Sequence, residues 1–298
     1  MKHRFFIFSL FIIYMIVTTL LLVGQGVAIS PGRYFFVILF GGLLVKKTRN
    51  FILDWAPFLF IIISYDFLRW FVPNLTSQIS YSQIRVDQLL FGALPTVFLQ
   101  QHLYHPESLS WYDFLATFVY FMHFVLFLAF GFLLWINNKR SFREFVTALS
   151  LLSYAAWITY LLFPTAPPWV AVKEGYLVGV SKIMDFTLPV LFSSSKILTA
   201  YQNLNPNPIA ALPSLHAAYP LLIFFFALKT FKRKALFFLP YVLAVWFSIV
   251  YLGEHYVIDV VAGILYAGFF YLFSQEFLHH FRFRKIFKQI GWPRWLNT

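Results

Sequence analysis

Residues 112–135 read YDFLATFVYFMHFVLFLAFGFLLW. One carboxylate, Asp113, stands near the start and one imidazole, His123, in the middle; nearly everything else is aromatic, aliphatic or small. A helix crossing the hydrocarbon of a bilayer needs roughly 20 such residues. In that solvent only a helix or a closed barrel satisfies its own backbone. The same pattern recurs at 5–23, 28–45, 51–72, 144–163, 213–231, 236–252 and 255–278, which makes eight expected spans. The whole chain agrees. Of 298 residues, 60% are hydrophobic and 11% charged, against about 25% charged in a soluble domain. An ordinary soluble enzyme and a disordered chain are excluded. With no cysteine, so are a disulfide scaffold and a thiolate metal site. The expected fold is all-α: a polytopic transmembrane helical bundle of about eight helices, forming a single membrane-embedded domain over 1–298.

The net charge of +12 is concentrated in short clusters. Lys2 and Arg4 precede the first span, Lys46, Lys47 and Arg49 follow the second, and Lys139, Arg140 and Arg143 follow the fourth. Lys229, Lys232, Arg233 and Lys234 lie at or just after the end of the sixth, and Arg282, Arg284, Lys285, Lys288 and Arg294 follow the eighth. The intervening connections are poorer in bases. This alternation is the positive-inside pattern. It predicts an integral membrane protein, in the plasma membrane, with both termini cytoplasmic and the first segment retained as a helix. No continuous basic face suggests nucleic acid as a partner. Two long connections, 73–111 and 164–212, fall on the non-cytoplasmic side. Within the first, Val86–Leu99 reads as a short helix lying at the membrane surface.

Ionisable groups at membrane depth are costly, so each is a functional candidate. Leu212-Pro213-Ser214-Leu215-His216 opens the sixth span. Pro suits the first turn of a helix, and exposed N–H groups there favour an anion. Alone, this stretch also reads as a capped helix with an interfacial His. Tyr251-Leu252-Gly253-Glu254-His255-Tyr256-Val257-Ile258-Asp259 opens the last span. His255 and Asp259, four apart, share a helical face. The carboxylate can fix one imidazole nitrogen and leave the other as nucleophile or base. Alone, this also reads as a structural pair. Together, two His, one Asp and one Ser at one depth allow one imidazole to attack phosphorus while the other protonates the leaving oxygen. A metal site built from His216, His255 and Asp259 is the less favoured reading.

These residues resemble the second and third signature motifs of the type 2 phosphatidic acid phosphatase superfamily. Pro213-Ser214-Leu215-His216 is similar to its Pro-Ser-Gly-His, and Ser248, His255 and Asp259 match its Ser-Arg, five residues, His, three residues, Asp. Ile249 stands at the Arg position, and no Lys, six residues, Arg-Pro first motif is found. Both departures, with Phe163-Pro164-Thr165-Ala166-Pro167-Pro168-Trp169, Tyr65–Arg69 and Asp87–Gln100, are similar to the inositol phosphorylceramide synthase-like, or inositolphosphotransferase, branch. The resemblance implies a six-helix phosphatase-type core, with the catalytic motifs within 160–262. It implies His255 as the nucleophile forming a phosphohistidine, Asp259 orienting it, and His216 as general acid and then base. Ser214 and Ser248 become candidate phosphate contacts. Lys173, Arg69 and His123 join them as candidate substrate-binding residues, with Lys182, Lys196 and Arg85 as further cations. Arg69 also reads as a partner of Asp66. No metal and no cofactor are implied.

The expected function is that of a lipid phosphotransferase. It would move a phosphorylated headgroup, with phosphoinositol as the candidate, from a phospholipid donor to a lipid hydroxyl on the non-cytoplasmic face. One alternative is a lipid phosphate phosphatase with water as acceptor. Another is a non-catalytic scaffold or transporter built on the same fold. Donor, acceptor and oligomeric state are not legible.

Overall fold

The computed structural model describes residues 48–69, 78–192 and 209–280, together with positions 9, 10, 13, 14, 17 and 18. The spans expected at 5–23 and 28–45 therefore lie largely outside the described residues, as does Lys196. The ordered elements are α1 (Thr48–Arg69), α2 (Ser82–Phe91), α3 (Pro95–Leu103), α4 (Trp111–Asn137), α5 (Lys139–Leu162), α6 (Pro168–Lys173), α7 (Met184–Phe192), α8 (Leu215–Phe231), a 3-10 turn (Lys232–Phe238), α9 (Leu239–Tyr251) and α10 (Val257–His280). Among the described residues there is no strand. Ser80, Thr165 and Ala210 pair only through isolated bridges.

Four stretches are long and apolar enough to cross a membrane: Trp111–Asn137, Lys139–Leu162, Leu215–Tyr251 and Val257–Phe277. The third, of 37 residues, exceeds the length a bilayer core of about 30 Å requires of one helix. It folds back at the 3-10 turn, so that α8 and α9 run antiparallel, and Trp246 Nε1 in the middle of α9 donates to Ala217 O in the first turn of α8 at 3.2 Å. The two spans expected at 213–231 and 236–252 are therefore separate elements. Helix α5 begins at Lys139, five residues before its expected start. The cause is Asn138, which ends α4 and accepts from Ser141 N at 3.1 Å, capping α5. The bases expected in a loop thus occupy the first turns of α5, where Lys139 pairs with Asp54 and Arg140 with Glu144. Lys229 at the end of α8 reaches the same Glu144 at 2.5 Å and Gln275 of α10 at 2.8 Å. One end of the bundle thus gathers bases from two connections.

An aromatic and aliphatic core joins α1, α4, α5, α8 and α10: Trp55, Phe58, Phe127, Phe132, Phe142, Phe145, Leu222 and Phe226 are buried in one cluster. Leu115 and Phe118 of α4, and Val261, Leu265, Phe269 and Leu272 along α10, are exposed. Their spacing of three and four residues puts the α10 set on one helical face, as a lipid-facing stripe requires. The stretch expected as one surface helix over Val86–Leu99 is two. Gly92 adopts φ 74° at the end of α2, and Pro95 opens α3. Leu89, Leu90, Phe91 and Phe98 are exposed, while Asp87 and Gln100 are buried inward.

Candidate active site

The site is assembled at the end of the bundle opposite the basic cluster. Thr165, in the Pro-rich stretch, donates its N–H to Ile209 O at 3.0 Å and accepts from Ala211 N at 3.2 Å. Its hydroxyl accepts from Leu212 N at 2.9 Å. The chain is thereby delivered to Pro213, whose carbonyl accepts from Tyr160 Oη at 2.7 Å. Ser214 then caps α8: its Oγ accepts from Ala217 N at 3.2 Å. Its own N–H donates to Asp259 O at 3.0 Å, a direct backbone link between the two sequence motifs. This approach needs Gly263, since a Cβ there would fall 2.4 Å from Ser214 O.

The start of α10 is held as firmly. Gly253 has φ +80°, and a Cβ there would fall 2.8 Å from Ser181 O, so only glycine fits the turn. Its carbonyl accepts from Trp169 N at 3.2 Å. Glu254 N and His255 N both donate to Ile249 O at 3.1 Å. Asp259 Oδ2 accepts from Tyr256 N at 2.9 Å. Two further N–H groups of the first turn, Val257 and Ile258, donate to the Asp87 carboxylate at 2.8 and 3.0 Å. Asp87 is fully buried. Burial pushes its carboxyl above the ordinary range; the two N–H bonds pull it back, and the Asp259 charge adds to the rise.

Between these two starts the rings meet. His255 Nε2 lies 3.4 Å from His216 Nδ1, and His255 Nδ1 lies 3.4 Å from Asp259 Oδ2. A proton on Nδ1 directed at the carboxylate leaves the Nε2 lone pair facing His216. His216 is flanked by two rings of α4, Tyr120 with centroids 4.4 Å apart at 22° and His123 with centroids 4.4 Å apart at 39°. His123 also stacks on Tyr219 at 5.0 Å and 16°. It is buried, and its Nδ1 has no hydrogen-bond partner.

His216, His255, Asp259 and His123 are therefore brought together, with Ser214 in the capping turn beside them. Ser248 is buried on α9, where its carbonyl accepts from Leu252 N at 2.8 Å. Lys173 is exposed at the end of α6. Arg69 ends α1, and its side chain, like that of Asp66, lies outside the described residues. Arg85 is exposed on α2. Lys182 instead lies over the Trp169 ring at 3.9 Å from its centroid and 3.9 Å from Glu254 Oε1. Sequence reasoning assigns no role to Asp87, Gln100, Tyr120 or Gly263. For Gly263 the available signal is small size two turns below His255; the others touch the site only through contacts far apart in the chain. Among the described residues, no group of three or more His, Asp and Glu side chains is arranged to hold a metal ion.

The PAP2 superfamily profile matches residues 84–273. The chain is similar to the phosphoinositol dihydroceramide synthase of Bacteroides thetaiotaomicron, at 26% identity over 270 residues covering 85% of each chain. It is also similar to the inositol phosphorylceramide synthase catalytic subunit of Schizosaccharomyces pombe, at 31% identity over 121 residues, 39% of this chain and 28% of that one. The corresponding Saccharomyces cerevisiae subunit is 27% identical over 116 residues, 34% of this chain and 26% of that one. No solved structure matches. With a family match over more than half its length and a relative aligned along most of it, the chain belongs to the PAP2 superfamily, as a membrane enzyme of its inositol phosphorylceramide synthase-like branch.

Proposed function

We propose that the protein moves phosphoinositol from a phosphatidylinositol-type donor to the hydroxyl of a ceramide-type lipid, through a phosphohistidine on His255. The observation that carries this reading is the line Asp259 Oδ2, His255, His216, with both gaps at 3.4 Å. His255 Nε2 attacks phosphorus, and the bond to the diacylglycerol oxygen breaks as His216 protonates that oxygen. His216, now neutral, takes the proton of the acceptor hydroxyl. That oxygen attacks phosphorus, the P–N bond breaks, and His255 is restored. Asp259 stabilises the cationic ring at each stage. The N-terminus of α8 and Ser214 face the phosphate oxygens, with Ser248, Lys173, Arg69 and His123 as further substrate contacts. The names of the relatives support the headgroup and acceptor. The loop charges support an eight-helix topology in the plasma membrane, with both termini cytoplasmic and the site on the outer face, and the family resemblance supports a six-helix core within it.

The test uses purified protein in mixed micelles with labelled phosphatidylinositol or phosphatidic acid, with and without ceramide or diacylglycerol. Formation of a new phospholipid that requires the acceptor and vanishes in His255→Ala is the expected result. Free phosphate or inositol phosphate released equally without acceptor would replace this reading with the phosphatase. No product from any lipid pair would favour the non-catalytic one.

A further inference from the structure

We infer that Lys182 is the cation that binds the donor's phosphodiester, with Trp169 and Glu254 completing a headgroup subsite beside His255. This rests on the reading above and adds the residue that recognises the charged end of the donor.

The need for such a cation follows from charge. A phosphodiester brings one negative charge to a place where Asp259, Asp87 and Glu254 already stand, all buried. The family's Arg position is occupied by Ile249, whose side chain is fully buried in an apolar cluster. An anion among buried carboxylates is unfavourable unless a cation is supplied from elsewhere.

The structure supplies one from the outer loop. Three cations on the site's side of the bundle lie among the described residues: Arg85, Lys173 and Lys182. The first two are exposed. The Lys182 side chain is 12% exposed, and it faces the Glu254 carboxylate next to His255.

Its placement is built rather than incidental. Ser181, the preceding residue, is clamped by Gln100: Ser181 N donates to Gln100 Oε1 at 2.7 Å, and Gln100 Nε2 donates to Ser181 O at 2.9 Å. The same Nε2 donates to Tyr251 O at 2.7 Å. Ile183 N, the following residue, donates to Leu252 O at 3.4 Å. Gly253 leaves no room for a Cβ between itself and Ser181 O. Ile183 is therefore bonded directly to the turn that carries His255, and Ser181 is linked to it through Gln100.

Trp169 adds a second observation. Its indole forms a face under the Lys182 ammonium at 3.9 Å. Its Nε1 is buried with no hydrogen-bond partner. An indole N–H can only donate, so it suits a phosphate or hydroxyl oxygen of the headgroup. At 3.9 Å the Lys182–Glu254 contact is Coulombic and longer than a hydrogen bond. A diester oxygen placed over the Trp169 face would lie beside the ammonium, and the Glu254 carboxylate offers an acceptor for hydroxyls of a polyol.

The experiment measures initial rates of full-length protein in mixed micelles, varying phosphatidylinositol and ceramide independently, for wild type, Lys182→Met, Lys182→Arg and Arg85→Met. Donor binding is read separately by native mass spectrometry of the detergent-solubilised protein with phosphatidylinositol. Lys182→Met should raise the donor KM by at least about tenfold and weaken donor binding, with the acceptor KM unchanged. Lys182→Arg should recover most of the loss, and Arg85→Met should behave as wild type. An unchanged donor KM in Lys182→Met overturns the assignment. So does loss of donor and acceptor saturation together in both Lys182 variants with a lowered Tm, which would make Lys182 a tether for the loop. A wild type that binds the donor in a Lys182-dependent way yet transfers nothing would overturn the transferase reading and leave the subsite standing.

Discussion

His255 Nε2 and His216 Nδ1 are 3.4 Å apart, although 39 residues separate them in the chain. The contact is made by two helix starts, tied to each other where Ser214 N donates to Asp259 O. The surroundings of the two rings differ: His255 is backed by a carboxylate, His216 by two aromatic faces, and the proposed mechanism gives each ring distinct work. A donor whose leaving group needs no proton separates these roles. With a nitrophenyl phosphodiester, His216→Ala should release nitrophenol at a rate within a few fold of wild type. With phosphatidylinositol the same variant should fall by about 10²–10⁴-fold. His255→Ala should be inactive on both. Equal losses on both substrates in His216→Ala would remove the general-acid assignment.

Gly263 and Gly268 occupy the same helix, and their surroundings predict opposite outcomes. A Cβ on Gly263 would meet Ser214 O at 2.4 Å and Ala217 Cβ at 3.1 Å, whereas a Cβ on Gly268 meets nothing within 4 Å. Gly263→Ala must push α8 from α10 and so widen the His216–His255 gap. The expected cost is about 1–3 kcal/mol of stability, with a loss of turnover beyond what the lowered Tm explains. Gly268→Ala should be neutral or stabilising by up to about 1 kcal/mol through helix propensity. Thermal unfolding in detergent beside the transfer assay checks both; a Gly263→Ala protein with wild-type Tm and turnover would contradict the close approach.

Much of this architecture is legible in the amino-acid sequence. Six expected spans fall on described helices, because long apolar runs bounded by charges leave few alternatives in lipid. The two motifs can be located in the sequence by their spacing and by the family resemblance. What spacing does not carry is convergence. Asp87 reaches Val257 and Ile258 across 170 residues and more, and no local period marks a residue that caps a helix so far away. Ser214 reads both as a cap and as a phosphate contact; its Oγ accepts from Ala217 N, the local half of that reading. The cations cannot be ranked from sequence, because the distinction between Lys173 and Lys182 depends on Gln100 clamping Ser181. The early start of α5 is hidden by the basic run that follows Asn138, since those charges resemble a loop while the cap ahead of them starts a helix.

Asp87 carries a pH signature with a definite sign. Burial raises its carboxyl above the ordinary value of 3.8 despite two N–H donors. The folded state therefore holds the Asp87 proton more tightly than the unfolded chain does. That contribution to stability is fully present below the unfolded pKa and is lost as pH rises through the raised folded one. Asp87→Asn does not titrate there. Its Tm relative to wild type should thus improve as pH climbs from the ordinary carboxylate range towards neutrality. Asp87→Ala, which leaves Val257 N and Ile258 N without acceptors, should instead lose about 1–2 kcal/mol. A Tm difference between wild type and Asp87→Asn that does not change with pH would mean that Asp87 does not hold its proton differently in the two states.

His123 poses a choice between packing and chemistry that one substitution decides. Its ring lies against His216 and Tyr219, contacts that a phenyl ring of similar size reproduces. Its Nδ1 is buried without a hydrogen-bond partner, and such a group costs about 1–3 kcal/mol. For stability alone, phenylalanine is the better residue at this position. If the nitrogen serves substrate, the fold keeps it at that cost, and stability and activity move in opposite directions. His123→Phe should therefore raise Tm while lowering kcat by roughly tenfold or more, the factor that about 1.4 kcal/mol of lost transition-state stabilisation produces. His123→Ala should lower both, because it also removes the ring that holds His216 in place. Full activity in His123→Phe would make the residue a packing element, and the third imidazole would drop out of the site.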